Sequence, residues 1–353
     1  MSSGDHAAPI VLVTWPDYDV GHPALGGALT GAGLELRLAP KLGARSPDEL
    51  ADLLVGAMGA IVSTDPFTAG VLRAAVDLRV IARVGVGVDS IDLDAASERG
   101  VQVATTPGAN EHAVADHAVG LMLAALRRIP QLDRDLRAGG WNRTGPFTPR
   151  QLAGATVGLV GYGHIGRRVA ARLRGFDVEL LVHDPALPAG GPETSIALDD
   201  LLRRSDVVSL HCPLLATTRH LIDARALGLM RPEAVLVNTS RGGVVDERAL
   251  VAALRTGSIA GAALDVFEGE PPTGSPLLEL DNVVVSPHNA GLSTTSVAEM
   301  TRRATQAVLD VAAGGVVIDL VNVRALDALT PAREVAARAA AHVERAEQQR
   351  PLV

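Results

Sequence analysis

Two doubly wound α/β domains with all-parallel sheets, one inserted into the other, are predicted by three observations. Apolar runs alternate with helical patterns along the whole sequence, which stacks helices on both faces of parallel sheets. A strand, glycine loop, helix, strand and acid follow one another from residue 155, after a complete earlier set of strands. The helical stretch 294–313 then has no new strand set to join. It therefore returns to the first domain, which becomes discontinuous, with a cleft between the two domains.

The first strands are expected at 10–15, 34–38, 60–63, 79–84 and 101–104. A helix at 47–57 has Ser46 as N-cap and Pro47 at its first position. Pro107-Gly108 breaks the pattern, and a long apolar-rich helix runs over 110–128. The second strand set reads 155–160, 178–183, 207–210, 234–238, 259–266 and 282–286. The expected division is 1–107 with 292–325 for one domain, 108–291 for the other, and a tail at 326–353. That tail is rich in Ala, Arg and Glu and receives no function.

With 353 residues the chain can bury two sizeable cores. Hydrophobic content is 47% and charged content 20%, and no apolar stretch has the length and continuity of a membrane span. A net charge of −8 leaves no footprint for nucleic acid. The N-terminus lacks a basic region followed by an apolar one, so no secretory signal is expected and the cytoplasm is the default compartment. Cys212 is the only cysteine, which excludes an intrachain disulfide or a cysteine zinc site. Of the 32 basic residues only Lys41 is a lysine, placed in an expected loop far from the glycine motif. Chemistry that needs an active-site lysine is thereby excluded.

Gly161-Tyr-Gly-His-Ile-Gly166 lies between an apolar run and a helix, and Asp184 closes the next apolar run. Gly161 permits the turn, Gly163 the approach of a pyrophosphate, and Gly166 close helix–strand packing. The helix N-terminus supplies N–H groups and a positive dipole end. Asp184 stands where a carboxylate accepts hydrogen bonds from adenosine ribose hydroxyls. Arg167 and Arg168 belong to the glycine-loop helix, and no arginine follows Asp184 to receive a 2′-phosphate, so NAD is favoured over NADP. The inserted domain reads as a Rossmann cofactor domain, and the host as a flavodoxin-like substrate domain.

Three segments at the expected carboxyl ends of later strands carry ionisable groups: Asn238-Thr-Ser-Arg-Gly-Gly243, Asp265-Val-Phe-Glu-Gly-Glu-Pro-Pro272 and Ser286-Pro-His-Asn-Ala-Gly291. Ligands of open α/β sheets bind beyond such ends. Arg241 can grip a carboxylate and polarise an adjacent carbonyl. His288 can pass a proton near neutral pH, oriented by a carboxylate on its other ring nitrogen. Glu268 and Glu270 compete for that last role, and the proximity of Pro271 favours Glu270. His112 and Asp116, one helical turn apart, and His117 gain no further ligands in the sequence, so no metal is expected.

Together these motifs resemble the D-isomer-specific 2-hydroxyacid dehydrogenases, most closely their phosphoglycerate dehydrogenase-like branch, over about 10–322. The resemblance implies an NAD-dependent oxidoreductase that interconverts a 2-keto acid and a D-2-hydroxy acid, with Arg241, Glu270 and His288 as catalytic residues. It places Gly161, Gly163, His164, Ile165, Gly166, Asp184, Cys212, Thr239, Ser240, Asp265, Gly291 and Val86 around the cofactor, with Asp265 facing the nicotinamide amide. Cys212 is read as a small apolar wall rather than a reactive thiol. In Arg83-Val-Gly-Val-Gly-Val-Asp89 it implies that the backbone of Val84, Gly85, Val86 and Gly87 receives the substrate carboxylate, together with Arg241. Phosphoglycerate enzymes carry an arginine in the loop after the third strand, whereas Ser63-Thr-Asp-Pro-Phe67 has an acid, which argues against that substrate. The sequence past Asn322 is also too short for the regulatory domain that some relatives carry.

The competing reading is a non-catalytic, NAD(H)-sensing corepressor-like protein on the same fold. Formate oxidation is disfavoured because Glu270 stands where formate enzymes have glutamine. A homodimer through 110–150 is expected, from the apolar residues Val114, Ala118, Val119, Leu121, Met122, Leu123 and Leu126 and from the aromatic Trp141.

Overall fold

A computed structural model describes residues 8–145, 148–187 and 194–323; the tail 326–353 lies outside the described residues. The chain divides into two compact units, Met1–Asn110 with Thr294–Val353, and Glu111–Ser293. Both carry all-parallel sheets, the fold class that the sequence predicts.

The first sheet contains β1 (Ile10–Val13), β2 (Glu35–Leu38), β3 (Ala57–Val62), β4 (Val80–Arg83) and β5 (Gln102–Ala104). Their order is β2-β1-β3-β4-β5, the flavodoxin-like winding. β3 begins three residues before the expected 60–63, because Ala57, Met58 and Gly59 add no polar side chain to a strand buried on both faces. Around it lie α1 (Gly26–Gly31), α2 (Pro47–Leu53), α3 (Ala69–Ala74) and α4 (Leu93–Glu98). Ser46 caps α2 by accepting the Glu49 N–H. The helix stops short of 57 where Gly56 turns to a left-handed φ of 74°.

In the second unit come α5 (Glu111–Leu126), α6 (Ile129–Arg137), β6 (Thr156–Val160), α7 (His164–Leu173), β7 (Glu179–His183), α8 (Leu198–Arg204) and β8 (Val207–Leu210). α9 (Ala224–Leu229), β9 (Val235–Asn238), α10 (Glu247–Thr256), β10 (Gly261–Leu264) and β11 (Val283–Val285) complete it. The sheet runs β11-β10-β9-β8-β6-β7. Beyond β7 a single parallel bridge joins Val182 to Ser195. Counted as a vestigial third strand, it gives the Rossmann order 3-2-1-4-5-6, extended by one strand. α11 (Thr294–Ala312) packs on β3 and β4 of the first unit, with Met300, Ala304 and Val308 buried in that core.

The structure corrects one argument from sequence. The expected helix 110–128 ends at Leu126, and Arg128, at φ 53°, begins a separate turn into α6. Val114, Ala118, Val119, Leu121, Met122 and Leu126 are all buried within the chain. α5 packs on β9, β10, β11 and α7, so two sides of it are already covered. The exposed apolar side chains lie further on, at Ile129, Leu136 and Trp141. Among the described residues no helix is long and apolar enough to cross a membrane.

Candidate active site

The glycine loop joins β6 to α7. Gly161 adopts φ 94°, and a Cβ there would lie 2.7 Å from the backbone of His211 and Cys212, so only glycine fits between the two strand ends. At Gly163 a Cβ would meet nothing within 4 Å: the backbone faces open space. Gly163 is also the N-cap of α7 and supplies no side-chain cap, so the first-turn N–H groups keep their capacity for an anion. His164 stands largely exposed beside Glu111, with Nδ1 3.2 Å from its carboxylate, and Glu111 also accepts from Arg168 at 2.8 Å. Ile165 packs partly buried against the α5 side of the core.

Asp184 closes β7 and is fastened by its own surroundings. Its Oδ2 accepts the Tyr162 N–H at 2.7 Å and its Oδ1 the Ala186 N–H at 2.8 Å. A carboxylate offers about four acceptor positions, so both oxygens retain capacity for hydroxyl donors. Cys212 lies nearby; burial, and then the Asp184 charge, push its thiol up to about 11, which keeps it protonated. Burial alone drives His211 down to about 4, so its ring is neutral.

Buried polar atoms with no partner mark where a ligand would go. His211 Nδ1, Thr239 Oγ1 and Asn289 Oδ1 are such atoms, directly after β8, directly after β9 and in the loop after β11. Buried polar groups in a native protein are satisfied, so three orphans along one sheet edge call for an occupant. These donors and acceptors, the open backbone at Gly163 and the carboxylate of Asp184 suit a dinucleotide.

Arg241 follows β9 in a turn organised by Asn238, which is 1% exposed. Asn238 Oδ1 accepts from the N–H and hydroxyl of Ser240, and its Nδ2 donates to the Arg241 carbonyl. Arg241 in turn donates to the Ser240 carbonyl at 2.7 Å. Gly242 then passes so close to the next loop that a Cβ would lie 1.9 Å from the Phe267 carbonyl carbon. This contact brings the arginine turn against the segment that carries Glu268 and Glu270.

Glu270 meets His288, with Oε2 2.6 Å from Nδ1, while its Oε1 accepts the Phe267 N–H at 3.0 Å. Burial by itself raises the Glu270 carboxyl. The His288 hydrogen bond and charge, the Phe267 N–H and the Arg241 charge outweigh that, and hold it below the usual carboxylate range. Glu268 pairs with His220 instead. Nearby, burial and then the charges of Glu268 and Glu270 push Glu247 up, against the stabilising Glu268 N–H that its Oε1 accepts.

His288 itself sits at φ 50°, uncommon for a side-chain-bearing residue. Asp265, at the end of β10 and 1% exposed, holds this turn. Its carbonyl accepts the His288 N–H at 2.8 Å. Its carboxylate accepts the N–H groups of Asn289 at 3.0 Å and Ala290 at 2.8 Å, and the Ser286 hydroxyl at 2.6 Å. Gly291 continues the same turn.

The glycine-rich loop after β4 belongs to the first unit. Gly85 donates its N–H to Thr106 Oγ1 at 3.1 Å and to the Arg83 carbonyl at 3.0 Å, so it is already engaged. Val84 is buried and also bonded, to the Val62 carbonyl. Among the described residues, no partner faces the N–H groups of Val86 and Gly87. The acid in the loop after β3 is turned inward: Asp65 is fully buried and accepts from Thr14 at 2.6 Å and Arg45 at 2.7 Å.

Sequence reasoning did not single out Asn238, Ser286 or Glu247, which act by holding other residues. A polar residue ending an otherwise apolar strand was the available signal for the first two. Among the described residues no three His, Cys, Asp or Glu side chains gather as a metal site requires. His112 and Asp116 both engage Arg172.

The chain also matches known proteins. The family described as "D-isomer specific 2-hydroxyacid dehydrogenase, NAD binding domain" matches residues 119–290. The D-3-phosphoglycerate dehydrogenase of Methanocaldococcus jannaschii is 44% identical over 249 residues, covering 69% of this chain and 46% of that protein. The chain thus spans about half the length of such relatives. The hydroxypyruvate reductase of Thermotoga maritima is 42% identical over 245 residues, covering 68% of this chain and 78% of that enzyme. A solved Thermus thermophilus structure superposes with a TM-score of 0.81 at 38% identity, covering 88% of this chain and 99% of the other. The chain belongs to the D-isomer-specific 2-hydroxyacid dehydrogenase family.

Proposed function

We propose that the protein reversibly reduces a 2-keto acid to a D-2-hydroxy acid with NADH, and that His288 is the group that exchanges the proton. The observation that carries this reading is the Glu270–His288 pair at 2.6 Å. With Nδ1 engaged by the carboxylate, Nε2 is left to meet the substrate oxygen. Glu270, held ionised by its partners, fixes the orientation of the ring, and His288 gives a proton to the carbonyl oxygen in reduction and takes it back in oxidation. Arg241 is assigned to the substrate carboxylate, and the N–H groups of Val86 and Gly87 are, on their own, assigned to substrate binding. Asp184 accepts the adenosine ribose hydroxyls and disfavours a 2′-phosphate, so NAD is the assigned cofactor over NADP. Gly161, Gly163, His164, Ile165 and Gly166 form the pyrophosphate loop, while Cys212, Thr239, Ser240, Asp265 and Gly291 line the rest. When bound, the reduced nicotinamide supplies the hydride that the carbonyl carbon receives.

NADH oxidation across glyoxylate, hydroxypyruvate, pyruvate and longer 2-keto acids tests this. Saturable turnover on at least one acid is expected, and binding of NADH without turnover on any acid would leave the corepressor reading instead. Phosphohydroxypyruvate belongs in the same panel as the acid expected to fail, because the loop 63–67 carries no arginine for its phosphate and its Asp65 is buried in an ion pair with Arg45.

The cytoplasm is the assigned compartment, and a C2 homodimer the assigned assembly. The dimer rests on Ile129, Leu136 and Trp141, which are 55%, 57% and 74% exposed in the single chain. Light scattering at micromolar concentration should give twice the chain mass. A clean monomer, or a dimer that survives Leu136→Asp with Trp141→Ala, would contradict it.

A further inference from the structure

His117 is left without a role by the proposed chemistry, yet it reaches the turn that carries His288. Its Nε2 lies 2.8 Å from Ser286 Oγ, and that hydroxyl lies 2.6 Å from Asp265 Oδ1. The serine has one hydrogen, and an ionised carboxylate can only accept, so the hydrogen points to Asp265. His117 must then carry its proton on Nε2 and donate it to Ser286. His117 Nε2 also stands 3.6 Å from Asp265 Oδ1, on the same side of the carboxylate.

We propose that His117 is a positioning residue for the His288 imidazole, acting from α5 through Ser286 and Asp265. Asp265 is the hub: with 1% of its surface exposed, its carboxylate depends on protein donors for its orientation. Two of those donors are the N–H groups of Asn289 and Ala290, and its own carbonyl takes the N–H of His288. These bonds hold His288 at φ 50°, a backbone conformation that surrounding structure must impose. Ser286 donates to the same oxygen, Oδ1, as the Asn289 N–H, and His117 fixes the Ser286 rotor. Without that donor the hydroxyl can turn away, the carboxylate loses its alignment, and the Glu270–His288 pair shifts as a unit. That the shift lowers turnover rests on the proposed role of His288; that it moves the ring does not.

The test compares His117→Phe, His117→Gln, Ser286→Ala and the double variant His117→Phe with Ser286→Ala in the full chain. Gln can present an N–H near the position of Nε2, whereas Phe keeps the ring shape and removes the donor. Expected for His117→Phe is a fall in kcat of about tenfold, with KM for NADH within about threefold of wild type. His117→Gln should recover most of the loss, Ser286→Ala should match the Phe variant, and the double variant should be no worse than either. A loss confined to KM, no recovery with Gln, or additive losses would overturn the proposal. Ring 15N spectra of histidine-labelled protein give an activity-free readout. The His288 signals should move in His117→Phe and return in His117→Gln. Unmoved His288 signals overturn the positioning role. A wild-type protein that turns over no keto acid would overturn the proposed reaction and leave this spectroscopic result to decide the coupling.

Discussion

Each of the two sheets buries an aspartate just past a strand end, and the two are used differently. Asp65, after β3, is closed off by Thr14 and by the Arg45 guanidinium, itself almost fully buried. Every strong donor around it is a side chain of its own unit, and the result is a local clamp. Asp265, after β10, accepts from the Ser286 hydroxyl and also from the backbone of Asn289 and Ala290, and so holds the turn that presents His288. Around Asp265 the neighbouring strand ends leave His211 Nδ1, Thr239 Oγ1 and Asn289 Oδ1 buried without partners. A carboxylate answered only by side chains marks stability, and such a buried atom beside Asp65, Arg45 Nε, belongs to the clamp itself. One whose backbone donors organise a loop, beside three such atoms at neighbouring strand ends, marks a site.

The sharpest way to break this contrast is to remove the first clamp. Asp65→Ala leaves the buried Arg45 guanidinium with only the exposed Glu49 carboxylate, 3.6 Å from its Nε, as an ionic partner, which should cost about 3 kcal/mol in denaturant unfolding while the NADH dissociation constant at 25 °C is unchanged. Undiminished stability would show that Asp65 is no clamp, and weakened NADH binding would show that it is not local.

His211 gives an effect of about the same size or smaller. Burial lowers its folded value to about 4, against an ordinary value near 6.5 in the unfolded chain. Between those values the unfolded chain binds the proton and the folded one does not. Stability is therefore unaffected above about pH 6.5 and falls as the pH drops toward 4, by on the order of 3 kcal/mol. His211→Asn should flatten that part of the stability profile, whatever it costs at neutral pH. An identical slope in wild type and variant would contradict the burial.

Asp184 offers the smallest of the three effects. Asp184→Ala should weaken NAD by about 10- to 100-fold and narrow its advantage over NADP, as judged by fluorescence titration of both reduced forms. A wild-type protein that already prefers NADPH would remove the assignment.

Much of this was legible in the sequence, for identifiable reasons. The two parallel sheets follow from alternating apolar runs, since strands buried on both faces carry continuous apolar sequence. The glycine loop, Arg241, Glu270 and His288 are legible because their chemistry admits few substitutes at fixed spacing. The vestigial strand at Ser195 was not, because one bridge leaves no pattern. The cover over α5 was not either: a helix with apolar residues all round does not say whether its second face meets α7 or another chain. Supporting residues were the least legible. Asn238 and Ser286 act through hydrogen bonds whose partners become neighbours only once the strand ends are aligned. Asp65 reads in sequence only as an acid where a phosphate-gripping arginine would stand, and its burial is not legible because Arg45, twenty residues earlier, folds onto it.

The most direct test of the central claim is NADH oxidation by the wild-type protein and His288→Ala over the same 2-keto acids, with NADH affinity measured alongside. Turnover on at least one acid, lowered by roughly 10²–10⁴-fold in the variant at unchanged NADH affinity, is the predicted result. No turnover by the wild type on any acid, or a variant with near wild-type turnover, would contradict it.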